Sequence, residues 1–88
     1  MKQITMTNRE LLRKAAVLRQ HEAYAYQAAY YLLEDEALAA RAASDTLAAL
    51  LRDESFFSLY PELQKQQVKR MAIKHSLQTK ASVLQPSP

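Results

Sequence analysis

Apolar residues recur along most of this chain at spacings of three and four, the period of helices lying on a core. Leu11, Ala15, Leu18, Ala25, Ala29 and Leu32 follow one line, broken only by Glu22, and Ala23, Tyr26, Tyr30 and Leu33 follow a second. Just ahead, Thr7-Asn8-Arg9-Glu10 has the form of a capping box, in which the threonine side chain accepts from the N3 amide and the glutamate reaches back to the cap. The pattern predicts one long helix over residues 8–33, bent near Gln20-His21-Glu22, where the periodicity weakens. Tyr26 and Tyr30 share a side and read as core, whereas Tyr24 and Tyr31 share another and read as exposed contact residues.

Glu34-Asp35-Glu36 ends this helix and starts a second over residues 36–52. Acidic groups suit the positive end of a helix dipole, and Asp35 has the right chemistry for an N-cap. Ala39, Ala43, Leu47 and Leu50 lie along one side, and the many small residues allow a neighbouring helix to approach closely. The connection is short, so the first two helices should form an antiparallel hairpin. Residues 53–60 form a connector whose Phe56, Phe57, Leu59 and Tyr60 should fold partly back on the core. Pro61 suits the first turn of a third helix, over residues 61–81. Residues 82–88, with two prolines, read as a frayed tail.

The third helix has two apolar sides. Val68, Met71, Ala72 and His75 form one stripe, and Leu63, Ile73 and Leu77 lie elsewhere, with Lys65, Lys69, Ser76 and Lys80 lined up between them. A helix of this kind packs on both sides or uses one to bind. The expectation is an all-α protein, a small three-helix bundle in a single domain over residues 1–81.

Composition narrows the chemistry. The 88 residues include no cysteine and no glycine. Disulfides and thiolate metal sites are excluded, and glycine-dependent hairpins and phosphate loops are disfavoured. No apolar run reaches the roughly 20 residues of a membrane span, so a cytoplasmic protein is the simplest expectation. The net charge of +3 is unevenly spread: residues 1–33 carry five basic and two acidic groups, residues 34–55 two and six, and residues 56–88 five and one. The last third could face a polyanion and the middle a basic partner, although ordinary surface charge reads equally well.

No catalytic or cofactor constellation emerges. His21 and His75 fall on separate helices without a carboxylate three or four residues on, so no metal set is expected. The acids sit at helix ends and beside a loop, where capping and solubility explain them, rather than in a walled pocket that would tune them for acid–base work. Lys65, Lys69, Arg70, Lys74 and Lys80 could track phosphates, and Phe56, Phe57 and Tyr60 just upstream could stack on bases, a combination suited to single-stranded nucleic acid. A solvated lysine face is the plain alternative.

One resemblance joins these features. Tyr30-Tyr31-Leu32-Leu33-Glu34-Asp35, then Ala39-Ala40-Arg41-Ala42-Ala43-Ser44-Asp45-Thr46-Leu47, then Val68-Lys69-Arg70-Met71-Ala72-Ile73-Lys74 follow an order and spacing that resembles region 2 of the short, extracytoplasmic-function type of bacterial RNA polymerase sigma factor, over residues 26–80. The resemblance implies a non-catalytic module in transcription. It would place Ala40, Arg41, Ser44 and Asp45 on a surface facing the clamp helices of the core polymerase's largest subunit. It would place Phe56, Phe57 and Tyr60 near the melted strand of the −10 promoter element, and Lys65, Lys69, Arg70, Lys74 and Gln78 along promoter DNA. The family usually carries Glu-Asp where this chain has Ala40-Arg41, glutamine at Ser44, asparagine at Lys74 and aspartate at Gln78. There is no room here for the second, −35-reading domain, so the chain reads as an excised domain, as one half of a split sigma factor whose missing region a second protein supplies, or as a relative turned to another purpose. The alternative reading is a helical protein–protein adaptor with a sigma-like fold that no longer recognises DNA.

Overall fold

The computed structural model describes residues 7–84, and among these there is no β-strand. Four α-helices follow in order: α1 (Asn8–Gln20), α2 (Glu22–Leu33), α3 (Glu36–Leu51) and α4 (Pro61–Leu84), with a 3-10 helix, Glu54–Ser58, between the last two. The expected first helix is thus two. The break is at His21, whose φ of −103° and ψ of 0° leave helical geometry and whose amide closes back on Leu18 and Arg19. The chain resumes at once, since the Ala25 amide bonds the His21 carbonyl at 2.9 Å.

Local chemistry fixes the helix starts. The Thr7 hydroxyl accepts from the Glu10 amide at 3.1 Å, while the Thr7 amide donates to the Glu10 carboxylate at 3.2 Å, completing the capping box. Asp35 caps α3 by accepting from the Leu38 amide at 2.8 Å. Asp53 accepts from both the Ser55 amide and the Ser55 hydroxyl, at 3.2 and 2.7 Å, and this turn starts the 3-10 helix. Pro61 opens α4, which runs on to Leu84; residues 82–84 are therefore helical rather than tail, and residues 85–88 lie outside the described part, as do residues 1–6.

Between α2 and α3 the chain turns through Glu34 in the left-handed region, φ 52° and ψ 37°. A side chain at this position crowds the following carbonyl, and glycine removes that cost. Glu34→Gly should raise stability by about 0.5–1 kcal/mol, seen as a rise of several degrees in the thermal midpoint.

The body is a triangle of α2, α3 and α4, each packed against the other two, with α1 laid more lightly on α2 and α3. One buried cluster joins Leu18, Ala25, Ala43, Leu50, Phe56 and Val68. A second, Ala29, Ala39 and Ala42, lies where α2 meets α3, and its three methyl side chains let the two backbones approach closely. From α1 only Lys14 and Leu18 are buried. The expected core positions Leu11 and Ala15 are exposed, because α1 meets the body along Lys14, Val17 and Leu18, on the neighbouring side of the helix. Tyr30, also expected in the core, is exposed, with its ring stacked on the half-buried Tyr26 at 6.0 Å.

α4 buries Gln64, Val68, Ala72, Ser76 and Thr79. The buried row advances mainly in steps of four, and each such step rotates about 40° around a helix with 3.6 residues per turn. The covered side therefore winds around α4. This winding takes Ser76 out of the expected lysine row and into the core, although Lys65, Lys69 and Lys80 stay exposed.

Candidate functional site

Three surfaces carry the residues that the sequence singles out. The first is on α3. Ala40, Arg41, Ser44 and Asp45 are all exposed, and their spacing puts them on one face, opposite the buried Ala39, Ala42, Ala43, Thr46 and Leu50. Thr46 stays in the core because its hydroxyl donates back to the Ala42 carbonyl at 2.8 Å.

The second is the aromatic connector, and here the arrangement differs from the expectation. Phe56 is fully buried. Its ring meets His21 edge-on at 5.8 Å and Phe57 at 5.1 Å. Its carbonyl accepts from Gln64 Nε2 at 3.2 Å, and Gln64 Oε1 lies 3.3 Å from His21 Nε2. This set locks the connector to the α1–α2 break and to the first turns of α4. Phe56 cannot reach a base without dismantling the core, so it leaves the candidate DNA-facing set. Phe57 is half-buried beneath α1, with the Lys14 ammonium 5.2 Å from its ring centre. Tyr60 is 78% exposed.

Lys14 was not singled out from sequence. It is nearly buried and pairs with the exposed Glu54 at 2.6 Å, the only ion pair among the described residues. The signal that could have found it is weak: a lysine four residues before a core leucine, with its partner 40 residues away.

The third surface is the outer side of α4. Lys65, Lys69, Arg70, Lys74 and Gln78 are exposed, and none of these cations has a carboxylate partner among the described residues. Lys65 lies over the Tyr24 ring at 4.9 Å. Beside it, Tyr24, Gln27, Ala28, Tyr31 and Leu32 of α2 and Lys69 and Ile73 of α4 line an open groove of about 430 Å³. Its floor is largely apolar, no carboxylate lines it, and Tyr31 stands 82% exposed at its edge.

No three histidine, aspartate or glutamate side chains come together among the described residues. The one clear ionisation shift is at Tyr26, whose phenol is held above its ordinary value by burial first, then by the nearby Glu36, Tyr30 and Asp35. No described helix is long and apolar enough to cross a membrane. No protein-family model, curated protein or solved structure matches the chain.

Proposed function

We propose that this protein is a non-catalytic binding module in transcription that resembles sigma region 2: it docks on core RNA polymerase through the outer face of α3 and turns the cations of α4 toward promoter DNA. The observation that carries the reading is the pairing of two separate exposed surfaces on one small body. The α3 face holds Ala40, Arg41, Ser44 and Asp45, and α4 exposes Lys65 and Lys69 beside α2 and Arg70 and Lys74 farther round the helix, none with a carboxylate partner among the described residues. Unpaired cations along a helix are suited to displacing counterions from phosphates. The order of these segments in the sequence supplies the rest of the argument. Retention of the purified protein by core polymerase is the direct test.

Charge reversal at Lys69 and Arg70 should weaken binding to a single-stranded promoter oligonucleotide by about tenfold or more at low salt and flatten the salt dependence by about 1.4 units of slope, about 0.7 for each lost phosphate contact. Both residues are exposed, so circular dichroism should show the helices intact. Unchanged affinity would remove DNA from the proposal.

The second reading, a protein–protein adaptor, is favoured by two observations: Phe56 is committed to the core, and the apolar groove between α2 and α4 is open. Binding with little salt dependence would point to it.

A further inference from the structure

The buried row of α4 accounts for only one side of that helix. On the outer side the spacing changes to alternating threes and fours. Leu63, Arg70, Leu77 and Leu84 recur every seven residues, with Gln66, Ile73 and Lys80 at the intervening position. The spacing is that of the a and d positions of a coiled-coil seam over three heptads and about 30 Å of helix, with Leu63, Ile73, Leu77 and Leu84 apolar and Gln66, Arg70 and Lys80 polar. The apolar members are open to solvent: Leu63 is 45% exposed, Leu77 55% and Leu84 70%. Ile73 is half-buried where the seam meets the groove beside Tyr31 and Ala28. The last turn of α4, residues 80–84, is exposed throughout.

We infer that this seam is a docking site for an acidic amphipathic helix of a partner protein, which lies along α4 and sets its apolar stripe between Leu77, Ile73 and the Tyr31 edge of the groove. Charge selects this occupant. The positions flanking the seam include Lys69 and Lys74, the seam itself holds Arg70 and Lys80, and the only carboxylate alongside is Glu62. A second copy paired in parallel through the same seam would set Lys69 against Lys74, a repulsive contact. A partner with glutamate or aspartate at its own flanking positions would make attractive contacts there and offer acceptors to Arg70 and Lys80. Those polar seam positions would fix register at a cost in affinity. Nucleic acid fits less well. The Tyr24 ring is already covered by Lys65, and the rest of the floor (Ala28, Leu32 and Ile73) is aliphatic, leaving Tyr31 as the one open aromatic face. The inference does not rest on the polymerase contact, because the α3 face takes no part in it, but it competes with the DNA reading for Lys69, Arg70 and Lys74: a bound acidic helix would mask these cations from a phosphate backbone.

The test uses the full chain and two synthetic three-heptad peptides with leucine at both seam positions. One carries glutamate and the other lysine at the flanking positions. The chain has no tryptophan, so its own emission comes from its five tyrosines, of which Tyr24 and Tyr31 line the groove. The acidic peptide should gain helicity on mixing and change the tyrosine emission, and the lysine peptide should do neither. Leu77→Asp should weaken binding of the acidic peptide by about tenfold or more. Leu84→Asp, in the exposed last turn, gives the same reading should Leu77→Asp fail to fold. Lys69→Glu with Lys74→Glu should transfer preference to the lysine peptide. Equal binding of both peptides, no binding of the acidic one, or indifference to the seam substitutions would overturn the proposal. So would an oligothymidine strand that binds and is lost with Leu77→Asp while the acidic peptide stays unbound.

Discussion

Phe56→Ala should cost this protein about 3–5 kcal/mol and leave it largely unfolded near body temperature. Phe56 is the largest fully buried side chain among the described residues. Truncation opens a cavity where the α1–α2 break, the 3-10 helix and α4 converge, and its ring contacts with His21 and Phe57 are lost together. An 88-residue domain has roughly 4–13 kcal/mol of stability to lose, so this deficit takes about a quarter or more of it and, at the low end, nearly all. Urea denaturation followed by circular dichroism measures it directly. Tyr60→Ala is the matched comparison: being exposed, it should shift stability by less than about 0.5 kcal/mol. Similar losses at the two positions would mean that the connector does not sit against the core in this way.

Ala42→Leu should destabilise by about 2–3 kcal/mol through the opposite fault. Ala29, Ala39 and Ala42 are fully buried at the meeting of α2 and α3, where a methyl group is the largest side chain that fits. Three added carbons must push the helices apart or force strained rotamers, and α4, packed on both, would feel the displacement. A lower thermal midpoint with helical content retained below the transition is the expected result. Ala40→Leu, on the exposed side of the same helix, should be close to neutral.

The parts of this fold that local chemistry decides can be read from the residues. Thr7 with Glu10, Asp35 and Pro61 mark helix starts because capping bonds reach only two or three residues and proline needs no amide partner there. Weakened periodicity at Gln20-His21-Glu22 marks a discontinuity, although it reads as a bend where the structure has a break. What fails to show is the side of each helix that the body covers when polarity contrast is low. α4 buries a glutamine, a serine and a threonine, and Gln64 is acceptable in the core only because His21, 43 residues earlier, and the Phe56 carbonyl satisfy its amide. Lys14 is buried for a similar reason, its charge reaching out to Glu54.

The candidate surfaces divide along the same line. Exposure of Ala40, Arg41, Ser44 and Asp45 follows from helical period alone, since Ala39, Ala43, Leu47 and Leu50 mark the other side. The direction of the aromatic connector does not follow from period. Phe56 and Phe57 are adjacent, and which one enters the core is set by the 3-10 geometry that Asp53 starts. The outer seam of α4 is visible as a second apolar side, and only the winding of the buried row shows that the body leaves it uncovered.

The measurement that reaches the centre of this account is a titration of the labelled protein with purified core RNA polymerase, in parallel with Arg41→Asp. Saturable binding is expected. Arg41→Asp should bind about tenfold tighter, about 1.4 kcal/mol, because the acid then stands where the resembling sigma factors carry one. No binding by a protein whose helices are intact would contradict the polymerase reading, and identical binding by the two proteins would take α3 out of the contact.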